Sequence, residues 1–443
     1  MKRILLILTL ALVALAGCKK EPAPEPIAGK VSQIKLVGMP TEFTVGRSFT
    51  ISAVITPDDA TDKSVTFSSS NPEVATVEYI ESEYNYSLAL LKAVGPGKAT
   101  ITATANDGSG VKAEAEVTVI LKKTTFASPA NCYIVTKAGK YTFKAVKGNS
   151  SESVGNVASA EVLWESFGTH KTPEVGDLVR DVSYKDGEIT FRATDEKGNA
   201  VISAKDADGN ILWSWHIWLT DQPVEHVYKN NAGTMMDRNL GATSVTSGDV
   251  RTIGLLYQWG RKDPFLGAVS FNFYTPAKST ITWPSAVEKS SSTGNIAYAI
   301  AHPTTFIFIE DIRESCDWTD METESRWTTS DRTKSIYDPC PAGWRVPDGG
   351  EDGVWAKAGF FDNNFFGIAN KEAMFYISSS TTAYPLAGYR DYEGDIQAVS
   401  TKAYYWSACR TSIESAHSLK IDKEISQPGV MAACGMSVRC AKE

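Results

Sequence analysis

The chain has 443 residues, 42% hydrophobic and 22% charged, which is enough for two or three globular domains that each bury a core. Its 52 acidic residues outnumber 44 basic ones, the net charge is −8, and no basic run interrupts that balance. These values exclude nucleic acid as a partner, and they exclude a polybasic membrane patch.

The first predicted element is a leader. Lys2 and Arg3 precede a short apolar run from Ile4 to Ala16, the composition of a secretory signal over residues 1–17. The run is shorter than the about 20 apolar residues that a spanning helix needs. Leu15-Ala16-Gly17-Cys18 resembles a bacterial lipoprotein lipobox. The resemblance implies that Cys18 becomes the first mature residue and carries a diacylglyceryl thioether, commonly with an N-acyl chain such as palmitate. Each buried methylene contributes about 0.8 kcal/mol, so several chains hold where one would slip off. The membrane is then a partner reached through lipid. Residues 18–30 follow as a tether, in which Pro22, Pro24 and Pro26 favour an extended polyproline II spacer. The expected location is the outer membrane, facing outward, although Lys19-Lys20-Glu21 is less acidic than export signals of Bacteroidota surface lipoproteins.

Over residues 31–120 the pattern becomes short alternating runs, such as Phe49 to Ile55, Ala99 to Thr104 and Ala115 to Val119. A period of two marks half-buried strands. Turn residues recur at Thr56-Pro57-Asp58-Asp59, Ser70-Asn71-Pro72, Val94-Gly95-Pro96-Gly97 and Asn106-Asp107-Gly108, the spacing of a seven-stranded sandwich. Val45-Gly46, Thr56-Pro57, Ser68 to Pro72 with Val74 to Val77, and Gly97 to Ala103 together resemble the bacterial Ig-like domain, group 2. One departure is Phe67, where that family often places tryptophan, but an aromatic core plug is kept. The resemblance implies a spacer or adhesive module with no catalytic role.

Residues 121–225 form a second β-rich segment, with strands predicted around Asn131 to Val135, Lys140 to Phe143, Glu188 to Arg192 and Ala200 to Ala204. Asp206-Ala207-Asp208-Gly209-Asn210 alternates carboxylates as a calcium loop does, but its glycine comes too early and no glutamate closes it. A tight Asp-Gly turn is the expectation. The strand that follows, Ile211 to Trp218, places Trp213, Trp215 and Ile217 on one face and Ser214, His216 and Trp218 on the other. Trp213, Trp215 and Trp218 are therefore candidate ligand-stacking residues, weighed against the commoner role of such rings as core.

Residues 226–443 are loop-rich. Met236 to Ala242, Leu256 to Phe265, Tyr337 to Pro347, Tyr404 to Ala408 and Gly435 to Cys440 occur in that order. Together they resemble the Fibrobacter succinogenes major paralogous domain of surface lipoproteins. The resemblance implies an α+β fold of the C-type lectin and sulfatase-modifying-factor group, with a small twisted sheet, few helices and long ordered loops. Short helices are predicted over 295–301, stopped before His302-Pro303, and over 354–358. Asp237, Arg238, Asn239, Arg261 and Asp263, with Arg345, are candidate ligand-binding polar residues. The alternative is that they pair with one another and pin the loops.

With Cys18 lipidated, six cysteines remain in an oxidising compartment, so disulfides are expected and sequence alone leaves their connectivity open. A Cys340–Cys440 bridge would staple a proline-flanked loop to the last strand, and Cys409–Cys434 is the second candidate pair. Cys132 reads as a buried thiol.

The whole is thus expected to be a mainly β multidomain protein. Phosphate-cradling glycines, a GxSxG elbow, an HExxH helix and Cys-x-x-Cys pairs are absent, and the five histidines are widely separated. No metal and no cofactor is expected. The function expected is non-enzymatic adhesion, or binding of a glycan or a surface or matrix protein ligand. Alternatives are an accessory glycan-capture lipoprotein of a nutrient uptake system and an enzyme of the formylglycine-generating type, whose reactive cysteine pair Cys434 and Cys440 would imitate.

Overall fold

In the computed structural model the chain divides into two compact units, Met1–Lys122 and Lys123–Glu443. The structure describes residues 29–81, 86–313, 315–320, 326–329, 331–362, 366–377 and 380–443. The leader, Cys18 and the tether up to residue 28 lie outside the described residues.

The first unit contains β1 (Gln33–Val37), β2 (Glu42–Thr44), β3 (Ser48–Thr56), β4 (Val65–Ser69), β5 (Ala75–Ile80), β6 (Ser87–Ala93), β7 (Gly97–Ala105) and β8 (Lys112–Ile120). They form two sheets, β1-β3-β6-β5 and β2-β8-β7-β4. β6 alternates buried and half-buried residues along its whole length, as its sequence period requires. Ile51, Ala89 and Leu91 from one sheet meet Ile101, Val117 and Val119 from the other, which makes the unit a β-sandwich. Half-buried Phe67 packs against both apolar clusters of this core and is the aromatic plug. The short β2, parallel to β8, is a strand beyond the seven expected. At the Asn106-Asp107-Gly108 turn, the Asp107 carboxylate accepts from the backbone N–H of Val31 (2.6 Å) and of Ser109 (2.8 Å).

The second unit begins with β9 (Lys123–Thr125), β10 (Cys132–Val135), β11 (Gly139–Lys144), β12 (Ser159–Ser166), β13 (Val179–Lys185), β14 (Glu188–Ala193), β15 (Gly198–Lys205) and β16 (Ile211–Leu219). Their sheets are β10-β16-β15-β12 and β13-β14-β11-β9. Tyr141, Phe143 and Phe191 of the second meet Trp213, Trp215 and Ile217 of the first in one aromatic core. The β15–β16 turn is the tight turn expected: Asp206 accepts from the N–H of Asp208 and Asn210, and Gly209 takes a left-handed φ of +86°.

β16 is buried on both faces from Trp213 to Leu219. Trp218, on the face away from that aromatic core, joins Met236, Leu240, Trp259, Trp406 and Val438 in a second core. The segments expected at 121–225 and 226–443 therefore share one sheet as a common wall and lie in one compact unit.

The later strands continue from that wall: β17 (Glu225–Tyr228), β18 (Gly233–Met236), β19 (Leu255–Gln258) and β20 (Phe265–Leu266). β19 pairs with Gly435–Ser437, which bridges to Ala403–Arg410, and that strand runs antiparallel to Ser415–Ile421. The last strand, Ala441–Lys442, pairs with both β18 and Trp344–Arg345. The two predicted helices are present as α1 (Ile296–Ala301) and α2 (Val354–Lys357). Asn295 caps α1 by accepting from the Tyr298 N–H at 2.8 Å.

The loop around Cys340 is held from several sides. Cys340 and Cys440 form the expected disulfide, with Cα atoms 6.0 Å apart. Asp338, fully buried, accepts from the N–H of Cys340 and of Val346, each at 2.8 Å. Lys334 donates to the carbonyls of Cys340, Pro341 and Trp344. Burial outweighs these partners and pushes the Asp338 carboxyl up to about 6.

Two outcomes are expected. Replacing both Cys340 and Cys440 by serine lowers the unfolding free energy by about 2–5 kcal/mol, read as an earlier denaturation midpoint; an unchanged midpoint would remove the staple from this account. An unfolded aspartate titrates near about 3.9, below the folded value of about 6, so protonation favours the folded state. The Asp338 contribution is complete below about pH 4 and is lost as pH rises through about 6. Midpoints measured from pH 4 to 7 should therefore decline on this account, and Asp338→Asn should flatten that decline.

Candidate functional site

The tryptophans of β16 are not a ligand platform. Trp213 and Trp215 are 1% exposed and Trp218 is 0% exposed, so no ring face is open to stacking. Trp213 Nε1 donates to Asn131 Oδ1, and Trp218 Nε1 donates to the Ala242 carbonyl. His216 is equally interior, its Nε2 2.9 Å from Asn199 Oδ1, and burial lowers its pKa to about 3. The ring spacing that admitted a platform reports two-sided burial instead.

The Asp237-Arg238-Asn239 motif enters the interior behind that strand. Arg238 makes a two-point contact with Asp237, at 2.9 Å for each bond, and donates to Thr220 Oγ1. Asn239 donates to the Ile253 carbonyl, and its Oδ1 accepts from Arg439 Nη2 at 2.9 Å. Arg439 is fully buried, donates also to Thr382 Oγ1, and sits 3.8 Å from the centre of the Tyr384 ring. The two motifs that carry these residues, far apart in the chain, thus meet in one polar knot. Beside it lies a cavity of about 20 Å³, lined by Asp237, Arg238, Glu372 and Arg439 among others.

Arg261 and Asp263 belong to a second knot. Arg261 donates to Gln258 Oε1 (2.9 Å) and to the Thr305 carbonyl (2.8 Å). Asp263 pairs with Lys262 at 2.7 Å and accepts from the Ser214 hydroxyl, while the Lys262 ammonium lies 4.6 Å from the Trp213 ring. Burial lowers Arg261 to about 10 and also lowers Lys262. The cavity here is about 10 Å³. Both cavities are far below the roughly 300–1,000 Å³ of a small-molecule site. Asp237, Arg238, Asn239, Arg261 and Asp263 consequently pin loops rather than face a ligand. Arg345 does the same through Asp348, at 2.6 and 3.0 Å.

Sequence reasoning missed a third knot. Asp317 pairs with Arg326 and, at 2.8 Å, with Arg410. Arg410 lies 4.6 Å from the Trp259 ring, Arg326 lies between Trp259 and Trp318, and Arg261 lies 5.6 Å from Trp318. Cations and rings alternate through the interior, so each buried guanidinium faces an aromatic quadrupole or a carboxylate. Nothing local in the sequence marks Asp317, Arg326 or Arg410, because they meet only in space.

Cys409 and Cys434 do not form the second disulfide. Cys409 is half-buried and points to Asp348, with Sγ 3.8 Å from Oδ1, whereas Cys434 is buried in the core around Trp259. Burial pushes the Cys434 thiol up to about 12, and Cys440 is committed to the disulfide, so the pair lacks the thiolate a reactive site needs. Cys132 is buried, as expected.

Among the described residues, one surface feature of ligand size is an open basin of about 710 Å³, lined mainly by Glu288, Lys289, Ser290, Glu310, Asp311, Arg313, Ser315 and Asp320. Lys289 spans it, donating to Ser315 Oγ and pairing with Asp320, each at 2.8 Å. Arg313 is clamped by Asp311. Its groups are hydroxyls, carboxylates and two cations, with the buried Ile309 as floor. These residues come from loops and from the end of the short strand Val287–Glu288, without a motif, which is why sequence patterns did not find them.

No curated protein matches the chain. Among solved structures, domains 4 and 5 of the S-layer protein SbsC are 18% identical, with TM-score 0.17, covering 20% of this chain and 52% of that one. The Escherichia coli adhesin FdeC is 15% identical, with TM-score 0.21, covering 43% and 65%. The Yersinia pseudotuberculosis adhesin InvE is 13% identical, with TM-score 0.20, covering 49% and 72%. This chain thus spans about half of the S-layer fragment and less than two thirds of FdeC. The family described as bacterial Ig-like domain (group 2) matches residues 30–117, the extent of the sandwich built by β1 to β8. The N-terminal unit is therefore a bacterial Ig-like domain of group 2 within a mainly β, multidomain chain.

Proposed function

We propose that the chain is a lipid-anchored, outward-facing envelope protein that acts without catalysis, in adhesion or in capture of a glycan or protein ligand. The observation that carries this reading is the order of parts: a lipobox-like Leu15-Ala16-Gly17-Cys18, a proline-rich stretch, a group 2 Ig-like domain, then a larger unit. Such an order suits presentation of the second unit from a membrane. Weak contacts become useful when many copies share one surface.

The polar basin, rather than any tryptophan, is the contact surface in this reading. Its hydroxyls, carboxylates and ammonium suit a ligand rich in hydroxyl or amide groups. We also propose that residues 226–443 are a Fibrobacter succinogenes major paralogous domain of C-type lectin-like arrangement, supported by the order of their motifs. The oxidase alternative loses its support with Cys440 in a disulfide and Cys434 protonated in the core.

Two measurements test the proposal. Cys18→Ala should move the protein from the detergent phase to the aqueous phase in a cloud-point partition and abolish labelling by an alkyne fatty acid; a protein that stays in the detergent phase is not held by this anchor. On glycan and matrix-protein arrays, Lys289→Ala with Asp320→Ala should reduce retention of the full chain at least several-fold. Retention equal to that of the unaltered chain would take the ligand away from the basin.

A further inference from the structure

Glu372 is 1% exposed, and its Oε2 has no hydrogen-bond partner. Burial disfavours its carboxylate, while the neighbouring Ser247, Arg439 and Thr252 favour it. Glu372 lines the cavity of about 20 Å³ beside the first knot, together with Asp237, Arg238 and Arg439. Arg439 is 0% exposed, and its hydrogen bonds go to the neutral oxygens of Asn239 and Thr382. A guanidinium carries five N–H donors, so those bonds do not use all of them. An acceptor and a donor without full partners thus border the same small cavity.

Size and charge select the occupant. A cavity needs about 10–15 Å³ to hold one water, so this one has room for one such molecule and no more. The cluster contains two guanidinium groups and two carboxylates, whose charges balance. A monovalent cation or anion would leave a net charge in a buried site, which is costly. A water molecule both donates and accepts, and so meets Glu372 and Arg439 at once without disturbing that balance.

We propose that one ordered water molecule occupies this cavity as an integral ligand, donating to Glu372 Oε2 and accepting from the Arg439 guanidinium. Through it Glu372 joins the hydrogen-bonded pair of Arg439 and Asn239, and with them the Asp237-Arg238-Asn239 motif.

The test is a crystal structure of the full chain grown with rubidium bromide, with data collected at both absorption edges. The expected result is one light-atom peak within hydrogen-bond distance of Glu372 Oε2 and no anomalous signal there. An anomalous rubidium or bromide peak would replace the water with an ion and overturn the charge argument. An empty cavity at a resolution that shows other buried waters would overturn the proposal altogether.

Discussion

The second unit depends on one constraint: β16 is buried on both faces. Trp213, Trp215 and Ile217 fill the aromatic core with β11 and β14, while Ser214, His216 and Trp218 face the C-terminal motifs. Most polar groups of a strand in that position have to be paired from within the protein. Its polar face therefore dictates what docks on it. Ser214 receives Asp263 and Lys262, and Trp218 receives the Ala242 carbonyl. Asn199, bonded to His216, receives the carbonyl of Gly241. The local motifs of the C-terminal region are the pieces that satisfy this wall.

Long loops join the strands beyond the wall, and buried arginines help to hold them. Arg261, Arg326 and Arg439 bind backbone or side-chain oxygens of other segments and lie against aromatic rings, while Arg238 binds Asp237 and Thr220. A buried ion pair does not of itself add stability, because desolvation offsets much of the attraction. What such a network does is exclude alternative loop arrangements, since any one of them would strand a charge. The Cys340–Cys440 bridge and the Lys334 cap act on the same loops from the other side.

Much of this was legible in the sequence. The period of two over β3, β7 and β8 and the recurring turn residues specify the sandwich, and Asn295 before an alanine-rich run specifies α1. The facing of β16 follows from alternation alone. What alternation cannot say is whether the second face meets water or more protein, and so the tryptophans read as core first while a platform stayed open. Likewise the polar residues of the motifs were recognisable, while their partners were not: Asp237 contacts its neighbour Arg238, but Arg439 meets Asn239 across 200 residues. Cysteine pairing depends on the same long-range geometry, which supplied Cys340–Cys440 and separated Cys409 from Cys434. The basin gathers loop residues with no pattern of their own.

The proposed function is presentation of the second unit outside the cell by a lipid anchor and an Ig-like domain. Protease shaving of intact cells addresses that claim most directly, with an antibody against the C-terminal region and a periplasmic protein as the control for lysis. The account predicts that the C-terminal epitope disappears while the control survives. An epitope that persists on intact cells and is cut only once the envelope is opened would contradict it and turn attention to a periplasmic partner.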